Sequence, residues 1–449
     1  MNRPRLVIAA TRSGDGKTTV ATGLMAALRA AGHRVSAHKV GPDYIDPSYH
    51  AAATGGVGRN LDPWMVGEDL IAPLFQHGAA EAEISVIEGV MGLYDGVVGR
   101  EDFASTAHVA RLLDAPIVLV IGAAGTSRSI AATVHGFATF DPRVRLAGVV
   151  LNQISSERHE QTLRDALGQT GIPVLGALPA AATLHTPSRH LGLVPVGERP
   201  DPVGQWLPEL RAMVETHIDL PQVVSIANAA SAMPGDAWSP DPSGPSARAT
   251  IAVAGGAAFT FGYAEHVELL SAAGADVVSF DPMTDEQLPA GTDAVVIGGG
   301  FPEIYLERLT ANTSLRAEIR ERAAAGMPVV AECAGLLWLG EELDGAQQCG
   351  VLPSRARMTP KLTLGYREAE ALTDNPIVRR GTVVRGHEFH RTVVEPPTGE
   401  MPAWRFADGS QHGWAGETMV ASYLHLHWAG VPGAAARLVQ TAVAQRAPA

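Results

Sequence analysis

Two groups of residues with different chemistry lie far apart in this sequence. A glycine-rich run, A-A-T-R-S-G-D-G-K-T-T at positions 9–19, ends on a lysine and two threonines, and runs of this kind hold phosphate groups. A cysteine, Cys333, lies far downstream in P-V-V-A-E-C-A-G-L-L (328–337), and the thiolate of such a cysteine is a nucleophile. The sequence therefore combines phosphate chemistry with thiol chemistry in one chain.

The glycine-rich run predicts an ATP-binding loop, because it follows an apolar strand-like segment and precedes a helix-like segment. Gly14 and Gly16 allow the backbone to approach the phosphates closely. We expect Lys17 to contact the β- and γ-phosphates and the hydroxyl of Thr18 to ligate Mg²⁺.

Carboxylates follow in two segments, H-K-V-G-P-D-Y-I-D-P-S-Y-H (38–50) and V-I-E-G-V-M-G-L-Y-D-G (86–96). Glu88 comes directly after an apolar strand-like run, where the metal-binding acid of an ATPase belongs. Phosphoryl transfer to a carboxylate needs metal ions that bridge phosphate oxygens, and carboxylates at strand ends hold such ions. Taken singly, Asp43 and Asp46 fit a turn and Glu88 fits a helix cap equally well. Their place after a phosphate loop favours the functional interpretation.

The cysteine is predicted at a turn from an apolar strand into a helix, which exposes the sulfur beside a helix N-terminus and favours the thiolate. Upstream, I-G-G-G-F-P-E (297–303) follows another apolar run. The backbone N–H groups of Gly299 and Gly300 are the predicted oxyanion hole for a tetrahedral intermediate. The second cysteine, Cys349, has no comparable context, and we expect it to be a small buried side chain.

Histidines near the C-terminus are candidate bases for the cysteine. The segment A-S-Y-L-H-L-H-W (421–428) places His425 and His427 on one alternating, strand-like run, so that both side chains share a face. A second segment, R-G-H-E-F-H (385–390), carries two more histidines three residues apart. Without further clustered ligands we favour a structural or domain-interface role for that pair over a metal site.

Alternating β-branched runs and Ala/Leu-rich segments surround these motifs and predict parallel strands with crossover helices. The alternation stops at P-G-D-A-W-S-P-D-P-S-G-P-S (234–246), whose composition marks a linker, and it restarts afterwards. A chain of 449 residues is also too long for one hydrophobic core. We therefore expect an N-terminal domain over 1–233, a linker over 234–247 and a C-terminal domain over 248–449.

Composition excludes several classes of partner. With 46% hydrophobic residues, 18% charged residues and a net charge of −13, the chain resembles a compact α/β enzyme and has no basic field for nucleic acid. The longest apolar stretch, 115–124, is about half the roughly 20 residues that a membrane span needs. Two isolated cysteines and the absence of a signal-like N-terminus indicate the cytoplasm, with no membrane partner.

The order of these motifs resembles the cobyrinic acid a,c-diamide synthase family, including its hydrogenobyrinic acid counterparts. After the G-D-G-K-T-T loop come K-V-G-P-D-Y-I-D-P, N-L-D-P-W-M (60–65) and E-G-V-M-G-L-Y-D-G. The similarity continues through S-T-A-H-V-A-R-L-L (105–113), L-N-Q-I-S-S-E-R-H-E (151–160) and S-R-H-L-G-L-V-P (188–195), and spans nearly the whole chain.

The resemblance implies an α/β fold with two domains. The first is a P-loop NTPase-like, mostly parallel sheet with flanking helices, of the dethiobiotin-synthetase-like group. The second is a class I glutamine amidotransferase domain, flavodoxin-like and of the cobyric acid synthase type. ATP and glutamine would be co-substrates, Mg²⁺ the cofactor and a tetrapyrrole the substrate. The number of assembled chains stays open, and a homodimer is the assembly to test.

The resemblance also assigns roles residue by residue. The Y-L-H run points to His425 as the base for Cys333, and His427 stands where many class I enzymes carry the glutamate that orients the base. In the first domain Asp46 and Glu88 would serve Mg²⁺ and the γ-phosphate, and Lys39 would neutralise the acyl phosphate. The residues expected to position the substrate carboxylate are Asp43, Tyr44, Ile45 and Asp95.

Two positions depart from the family pattern, because Gly122 and Gly256 stand where the family often has acids. Two other functions also remain open on sequence grounds. One is amidation of a different tetrapyrrole, such as nickel-sirohydrochlorin or the substrate of cobyric acid synthase, although K-V-G-P-D-Y-I-D-P disfavours the latter. The other is a MinD-like ATP switch, against which the Cys333 and His425 pair counts.

Overall fold

The structure is a computed structural model and describes residues 3–180, 188–189, 192–193, 196–198, 202–245 and 247–446. Of the segment at 188–195, four residues therefore lie outside the described residues. The chain divides into two compact units. The first comprises the chain up to Pro63 together with Gly67–Ser239, and the second comprises Trp64–Val66 together with the chain from Pro240 onward.

The first unit is built on a seven-stranded sheet in the order β3-β2-β4-β1-β5-β6-β7, in which every neighbouring pair is parallel. Helices connect the strands, as expected for crossovers between parallel strands. The strands are β1 Arg5–Ala10, β2 Val35–Val40, β3 Gly58–Leu61, β4 Ile84–Glu88, β5 Ile117–Gly122, β6 Leu146–Ile154 and β7 Val174–Pro179, with a separate short pair, β8 Ser188–Arg189 and β9 Gly192–Leu193. The helices are α1 Lys17–Ala30, α2 Ile45–Thr54, α4 Ile71–Gly78, α5 Thr106–Leu112, α6 Ile130–Thr139, α7 Glu157–Leu167, α8 Pro202–His217 and α9 Leu220–Asn228; of α3 Pro63–Val66, only Pro63 belongs to this unit.

Continuous apolar runs explain why this sheet is parallel and covered on both faces. All six residues of β1 are buried, and so are five of the six in β5. Apart from Arg5 at the start of β1, these strands have no polar side chain, so both of their faces must be packed against other elements. Leu24 and Leu28 of α1 lie in the same apolar core as Leu6 and Ile8 of β1.

The register of the sheet brings functional positions to one edge. Ile8 of β1 pairs with Glu88 of β4, and Glu88 pairs on its other side with Lys39 of β2. The carboxyl ends of these three strands thus meet where the strand order reverses beside β1. Open parallel sheets bind ligands at such places.

The second unit contains a six-stranded sheet in the order β11-β10-β12-β13-β21-β20, parallel except for β20, which runs antiparallel to β21. This parallel core with its helices confirms the predicted α/β class. Its strands are β10 Ala249–Ala254, β11 Ala275–Phe280, β12 Thr292–Ile297, β13 Val329–Glu332, β20 Trp414–Gly416 and β21 Met419–Ser422. The helices are α10 Ala264–Ala272, α11 Leu306–Ala311, α12 Thr313–Ala324, α13 Ala334–Leu339 and α14 Ala434–Ala444.

A third, largely antiparallel sheet in this unit was not predicted. Its main members are β16 Arg355–Ala371 and β17 Val383–Glu395, which form a long hairpin. Much of β16 is exposed or half-buried, so its sequence lacks the apolar runs that revealed the other strands. The remaining strands are β14 Glu342–Leu343, β15 Ala346–Gln347, β18 Trp404–Phe406, β19 Gln411–His412 and β22 His425–Leu426.

The prediction of one alternating strand over 421–428 is wrong. The first part of the segment belongs to β21 in the parallel sheet, whereas His425 and Leu426 form β22, which pairs with β17 in the antiparallel sheet. His427 follows β22 and caps a short 3-10 turn. The chain therefore passes from the parallel sheet to the antiparallel sheet between Ser422 and His425.

Among the described residues, no helix is both long enough and apolar enough to cross a membrane.

A pair of glycine substitutions tests the packing of the first unit. A Cβ on Gly176 of β7 would lie 2.4 Å from the carbonyl oxygen of His217, whereas a Cβ on Gly136 of α6 would meet nothing within 4 Å. We expect Gly176→Ala to lower the free energy of unfolding by about 1–3 kcal/mol through overpacking. Gly136→Ala should raise it by up to about 1 kcal/mol, because glycine is unfavourable inside a helix. Calorimetric unfolding of both variants checks this, and equal midpoints would contradict it.

Candidate active site

The phosphate loop connects the end of β1 to the start of α1. Gly14 and Gly16 adopt φ values of 91° and 95°, which are costly for residues with a side chain. A Cβ on Gly16 would also lie 2.1 Å from Nδ2 of Asn152, whose amide donates a hydrogen bond of 2.9 Å to the carbonyl of Asp15. The ammonium of Lys17 donates to the carbonyl oxygen of Met91 at 2.6 Å.

Glu88 lies at the centre of a buried polar cluster and is fully buried itself. Its Oε1 accepts a hydrogen bond of 2.6 Å from the hydroxyl of Thr18 and one of 3.0 Å from Nζ of Lys39. Its Oε2 lies 2.6 Å from Nε2 of His50. Burial alone would raise the pKa of Glu88, but Lys39 and His50 together hold that pKa well below its usual range. The Glu88 carboxylate is therefore ionised at neutral pH.

Lys39 joins Glu88 to Asp46. Its ammonium contacts Oδ2 of Asp46 at 2.6 Å and also donates to the carbonyl of Gly89 at 2.9 Å, so that all three donors are used. Burial opposes the charge on Lys39, but the carboxylates of Asp46 and Glu88 raise its pKa above the usual value. Burial, with the charges of Asp43 and Glu88, raises the pKa of Asp46. Two buried carboxylates thus share the ammonium of Lys39, and each disfavours the charge of the other.

The donor set of this cluster fits Mg²⁺. The hydroxyl of Thr18 is 3.4 Å from Oδ2 of Asp46 and 2.6 Å from Oε1 of Glu88, so one hydroxyl and two carboxylates converge at the start of α1. Mg²⁺ binds through one or two carboxylates together with substrate phosphates. Within the described part of the chain, no group of three or more His, Cys, Asp or Glu side chains could hold a metal unaided. A magnesium site here would therefore need the Thr18 hydroxyl and the phosphates of ATP.

The four residues expected to position the substrate lie at the start of α2 and in the loop after β4. Oδ1 of Asp43 accepts the backbone N–H groups of Ile45 and Asp46 at 2.7 and 3.3 Å, which caps the start of α2. Tyr44 is the N-cap residue of that helix, and Ile45 is buried. Asp95 is exposed, and its Oδ2 accepts the N–H of Gly92 at 2.9 Å. Asp43 therefore has the helix-capping role as well as its place in the cluster.

The two glycines that depart from the family pattern each adjoin an aspartate from elsewhere in the chain. A Cβ on Gly122 would lie 2.7 Å from Oδ1 of Asp15, and a Cβ on Gly256 would lie 2.3 Å from Cγ of Asp281. Asp15 is nearly fully buried and accepts hydrogen bonds from the side chains of Thr11 and Arg12. At both places the space beside the glycine holds a carboxylate already.

Cys333 occupies the predicted turn between β13 and α13, but its side chain is buried, so the predicted exposure of the sulfur is wrong. Its φ of 50° and ψ of −98° lie outside the regions that non-glycine residues usually adopt, which marks a strained turn. Its N–H donates to the carbonyl of Ser422 on β21 at 2.8 Å, and the N–H of Leu337 donates to the Cys333 carbonyl at 3.1 Å. A Cβ on Gly335 would lie 2.4 Å from the carbonyl of Ile297, so glycine lets α13 begin close to β12.

His425 is the imidazole beside this cysteine. Its side chain is almost fully buried and hydrogen bonds to that of Cys333. Nδ1 lies 3.5 Å from Oε2 of Glu332, whose other oxygen accepts the N–H of Leu426 at 3.4 Å. Burial opposes the charged form, but Cys333 and Glu332 raise the pKa of His425 to about 10. The arrangement therefore favours the charged imidazolium form of His425.

The structure corrects the oxyanion prediction for Gly299. Its N–H donates to the carbonyl of Phe261 at 3.2 Å, in an antiparallel bridge that also carries the reverse bond of 3.1 Å. A Cβ on Gly299 would lie 2.6 Å from Cε1 of His425. Gly299 therefore makes room for the imidazole, and its N–H is already used. A Cβ on Gly300 would lie 2.1 Å from the carbonyl of Ala258, so glycine is required there by close packing.

His427 lies in a different environment from His425. It is fully buried, its Nε2 is 3.5 Å from Oε2 of the buried Glu265, and its ring packs against that of Tyr263 at 4.4 Å between centroids. The carboxylate beside Nδ1 of His425 belongs instead to Glu332. His427 was expected where a glutamate would orient the base, but the carboxylate beside the base is that of Glu332, the last residue of β13.

Three neighbouring histidines are held neutral by burial. Burial lowers the pKa of His266 and of His387 to about 3, and that of His390 to about 4. The ring of His390 stacks on Tyr423 with 3.6 Å between centroids. Burial also raises the pKa of the fully buried Cys349 thiol. His425 differs from the other histidines because a thiol and a carboxylate both support its charge.

Two residues of these clusters were missed at the sequence level. His50 follows Asp46 by four residues on α2, so helical periodicity could have suggested that both face the same way. Glu332 stands next to Cys333, but no spacing rule links a residue of β13 to the imidazole of His425 across two sheets.

Two protein-family models match the chain, one over the part that contains Glu88 and one over the part that contains Cys333. Residues 6–194 match the model described as the CobQ/CobB/MinD/ParA nucleotide binding domain. Residues 250–432 match the CobB/CobQ-like glutamine amidotransferase domain. The chain is therefore an amidotransferase that couples a nucleotide-binding domain to a glutamine-using domain.

Curated relatives are similar over almost the entire chain. Hydrogenobyrinate a,c-diamide synthase of Streptomyces coelicolor is 53% identical and that of Mycobacterium bovis is also 53% identical, each over 97% of this chain and 97% of its own length. Cobyrinate a,c-diamide synthase of Gloeobacter violaceus is 42% identical over 98% of this chain and 97% of its own. The chain belongs to the a,c-diamide synthase family that these relatives represent.

The Glu332 contact makes a prediction about pH. Glu332→Gln removes one of the charges that raise the pKa of His425, so that pKa should fall towards its usual value. The alkaline limb of glutaminase kcat/KM should therefore move to lower pH. At neutral pH the rate should fall by about tenfold or more, since positioned proton transfer contributes about 10²- to 10⁴-fold. Glu307→Gln, on an exposed face of α11, is the control. An unchanged pH profile would remove Glu332 from this role.

Proposed function

We propose that this chain amidates the a and c acetate carboxylates of hydrogenobyrinate, using ATP and glutamine. The observation that carries the proposal is the buried cluster of Thr18, Lys39, Asp46 and Glu88 behind a phosphate loop. Such a cluster suits phosphoryl transfer to a carboxylate, and the amidotransferase domain suits delivery of nitrogen. Two relatives named for hydrogenobyrinate are 53% identical and a relative named for cobyrinate is 42% identical, which favours hydrogenobyrinate.

The proposed synthetase reaction has two steps. A substrate carboxylate oxygen attacks the γ-phosphorus of ATP, the new O–P bond forms, and the bond to the leaving ADP oxygen breaks. Ammonia then attacks the carbonyl carbon of the acyl phosphate, loses a proton, and expels inorganic phosphate to leave the amide. Lys17 would hold the phosphates and Lys39 would offset charge on the acyl phosphate. Mg²⁺, held by Thr18, Asp46 and Glu88, would add positive charge at the phosphate oxygens.

The substrate carboxylate would be positioned by the two loops beside this cluster. The loop that begins α2 offers Asp43, Tyr44 and Ile45, and the loop after β4 offers Asp95. The hydrogen bond from Lys17 to the carbonyl of Met91 ties the second of these loops to the phosphate loop. The order in which ATP and the substrate bind would then depend on whether Lys17 holds the carbonyl of Met91 or the phosphates of ATP.

The proposed glutaminase reaction uses the pair in the second unit. The Cys333 thiolate attacks the glutamine amide carbon, and the His425 imidazolium donates a proton to the departing ammonia. Water then attacks the thioester, His425 takes its proton, and the thiolate leaves as glutamate is released. We assign oxyanion stabilisation to the N–H groups of Gly300 and of Ala334, the residue after the nucleophile. Glu332 would orient His425.

We also propose a cytoplasmic location, which suits two free, buried cysteines. A homodimer is the assembly that sedimentation should test. Incubating hydrogenobyrinic and cobyrinic acids separately with ATP, Mg²⁺ and glutamine tests the substrate proposal directly. Each amidation replaces OH by NH₂ and lowers the mass by about one unit. Failure of hydrogenobyrinic acid to lose two such units would contradict the proposed substrate.

Lys17 tests the phosphate loop. Lys17→Ala removes the only side-chain charge that the loop would direct at the β- and γ-phosphates, so amide synthesis should fall by at least about a hundredfold. Glutaminase activity measured alone should remain, because its residues lie in the other unit. Arg12→Ala, an exposed residue of the same loop, is the matched control. Undiminished synthesis by Lys17→Ala would refute the loop assignment.

Cys333 separates the two half-reactions. Cys333→Ala should lose glutaminase activity yet still amidate the ring acid from high concentrations of ammonium salt, because free ammonia can attack the acyl phosphate. Cys349→Ala is the control, since that thiol is fully buried and packs in the apolar core around Trp338. It should leave both activities largely intact. If Cys333→Ala hydrolysed glutamine at the normal rate, the nucleophile assignment would be lost.

A further inference from the structure

His50 is a fully buried residue of α2 that the proposed reaction does not yet use. It lies one helical turn after Asp46, so the two side chains share a face of the helix. Its Nε2 is 2.6 Å from Oε2 of Glu88, at the carboxyl end of β4. A contact this short between fully buried groups fixes both of them.

The proton in this contact belongs to the imidazole. An ionised carboxylate is only an acceptor, so Nε2 of His50 must carry the hydrogen. The other nitrogen, Nδ1, is buried and has no hydrogen-bond partner among the described residues. Buried polar atoms without partners are uncommon and call for an explanation. The ring is therefore directed at a single atom, Oε2 of Glu88.

The two oxygens of Glu88 are divided between different partners. Oε2 faces His50, whereas Oε1 accepts from Thr18 at 2.6 Å and from Lys39 at 3.0 Å. A carboxylate held in this way cannot rotate to exchange its oxygens. Oε1 is thus kept on the side of the Thr18 hydroxyl, where the start of α1 would bring the phosphates.

We propose that His50 is a positioning residue that fixes Glu88 so that Oε1 is presented to the Mg²⁺ of Mg·ATP. The proposal rests on the proposed function, in which Glu88 serves that metal. Hydrogen-bonded partners of metal ligands orient those ligands, and their loss commonly weakens metal affinity or activity by about 10- to 100-fold. A role confined to packing α2 against β4 would change stability without changing the dependence on metal.

The test measures nucleotide affinity with and without metal, which does not depend on turnover. Calorimetric titration with a non-hydrolysable ATP analogue, in Mg²⁺ and in EDTA, gives the factor by which magnesium tightens binding. His50→Gln keeps a donor near the position of Nε2, His50→Asn has a donor that is too short, and His50→Met fills a similar volume without a donor. We expect His50→Gln to stay within about threefold of the parent factor. We expect His50→Asn and His50→Met to lose about tenfold or more of it.

Controls separate positioning from folding. Glutaminase activity and the unfolding midpoint report whether each variant is intact, and His50→Met decides if His50→Asn does not fold. His108→Gln alters another buried histidine of the same unit, whose Nδ1 accepts the N–H of Ala104, and should leave the magnesium factor unchanged. The apparent Mg²⁺ requirement for amide synthesis should rise in the same order, with Asn and Met above Gln.

Glu88→Gln distinguishes the two levels of the argument. If this variant keeps the parent magnesium factor, the assignment of Glu88 to the metal is wrong and the proposed function fails at that point. If Glu88→Gln loses the factor while the folded His50→Asn and His50→Met variants keep it, the positioning role of His50 is overturned. Equal losses in His50→Gln, His50→Asn and His50→Met would also overturn it, because the donor would then not matter.

Discussion

The ammonium of Lys39, held between Asp46 and Glu88, is the interaction on which the first unit depends. Removing one member would leave the others buried without a matching charge, which is far more costly than losing an exposed ion pair. The cluster also explains why the sheet register is fixed here. Lys39 and Glu88 are direct neighbours on parallel strands, and a slip of one residue would place their side chains on opposite faces.

In the second unit, the strained backbone at Cys333 lies where three strands meet. The cysteine directly follows β13, its N–H donates to the carbonyl of Ser422 on β21, and its partner His425 begins β22 in a second sheet. Gly299 and Gly335 then allow the imidazole and α13 to approach more closely than any side chain would permit. The reactive pair is thus assembled by backbone geometry, with the carboxylate of Glu332 beside its imidazole.

The sequence predicted local features well, because local features depend on neighbouring residues. The loop at Gly14 and Gly16, the turn at Cys333 and the apolar strands β1, β4, β12 and β13 that precede the motifs follow from patterns a few residues long. Partners across the fold were not predictable in the same way. The β16–β17 hairpin is too polar for its strands to be recognised from the sequence. Because the chain moves to another sheet before His425, two separate strands were predicted as one. Gly299 was assigned to the oxyanion hole because the sequence does not reveal that its N–H is engaged in a backbone bridge to Phe261.

The contact between Gly122 and Asp15 couples the end of β5 to the phosphate loop. A Cβ at Gly122 would lie 2.7 Å from Oδ1 of Asp15, so a side chain could enter there only if the aspartate moved. The side chains of Thr11 and Arg12 donate hydrogen bonds to that aspartate and hold it in place. A change at the end of β5 would therefore be transmitted to the loop that precedes α1, although the two segments lie far apart in the sequence.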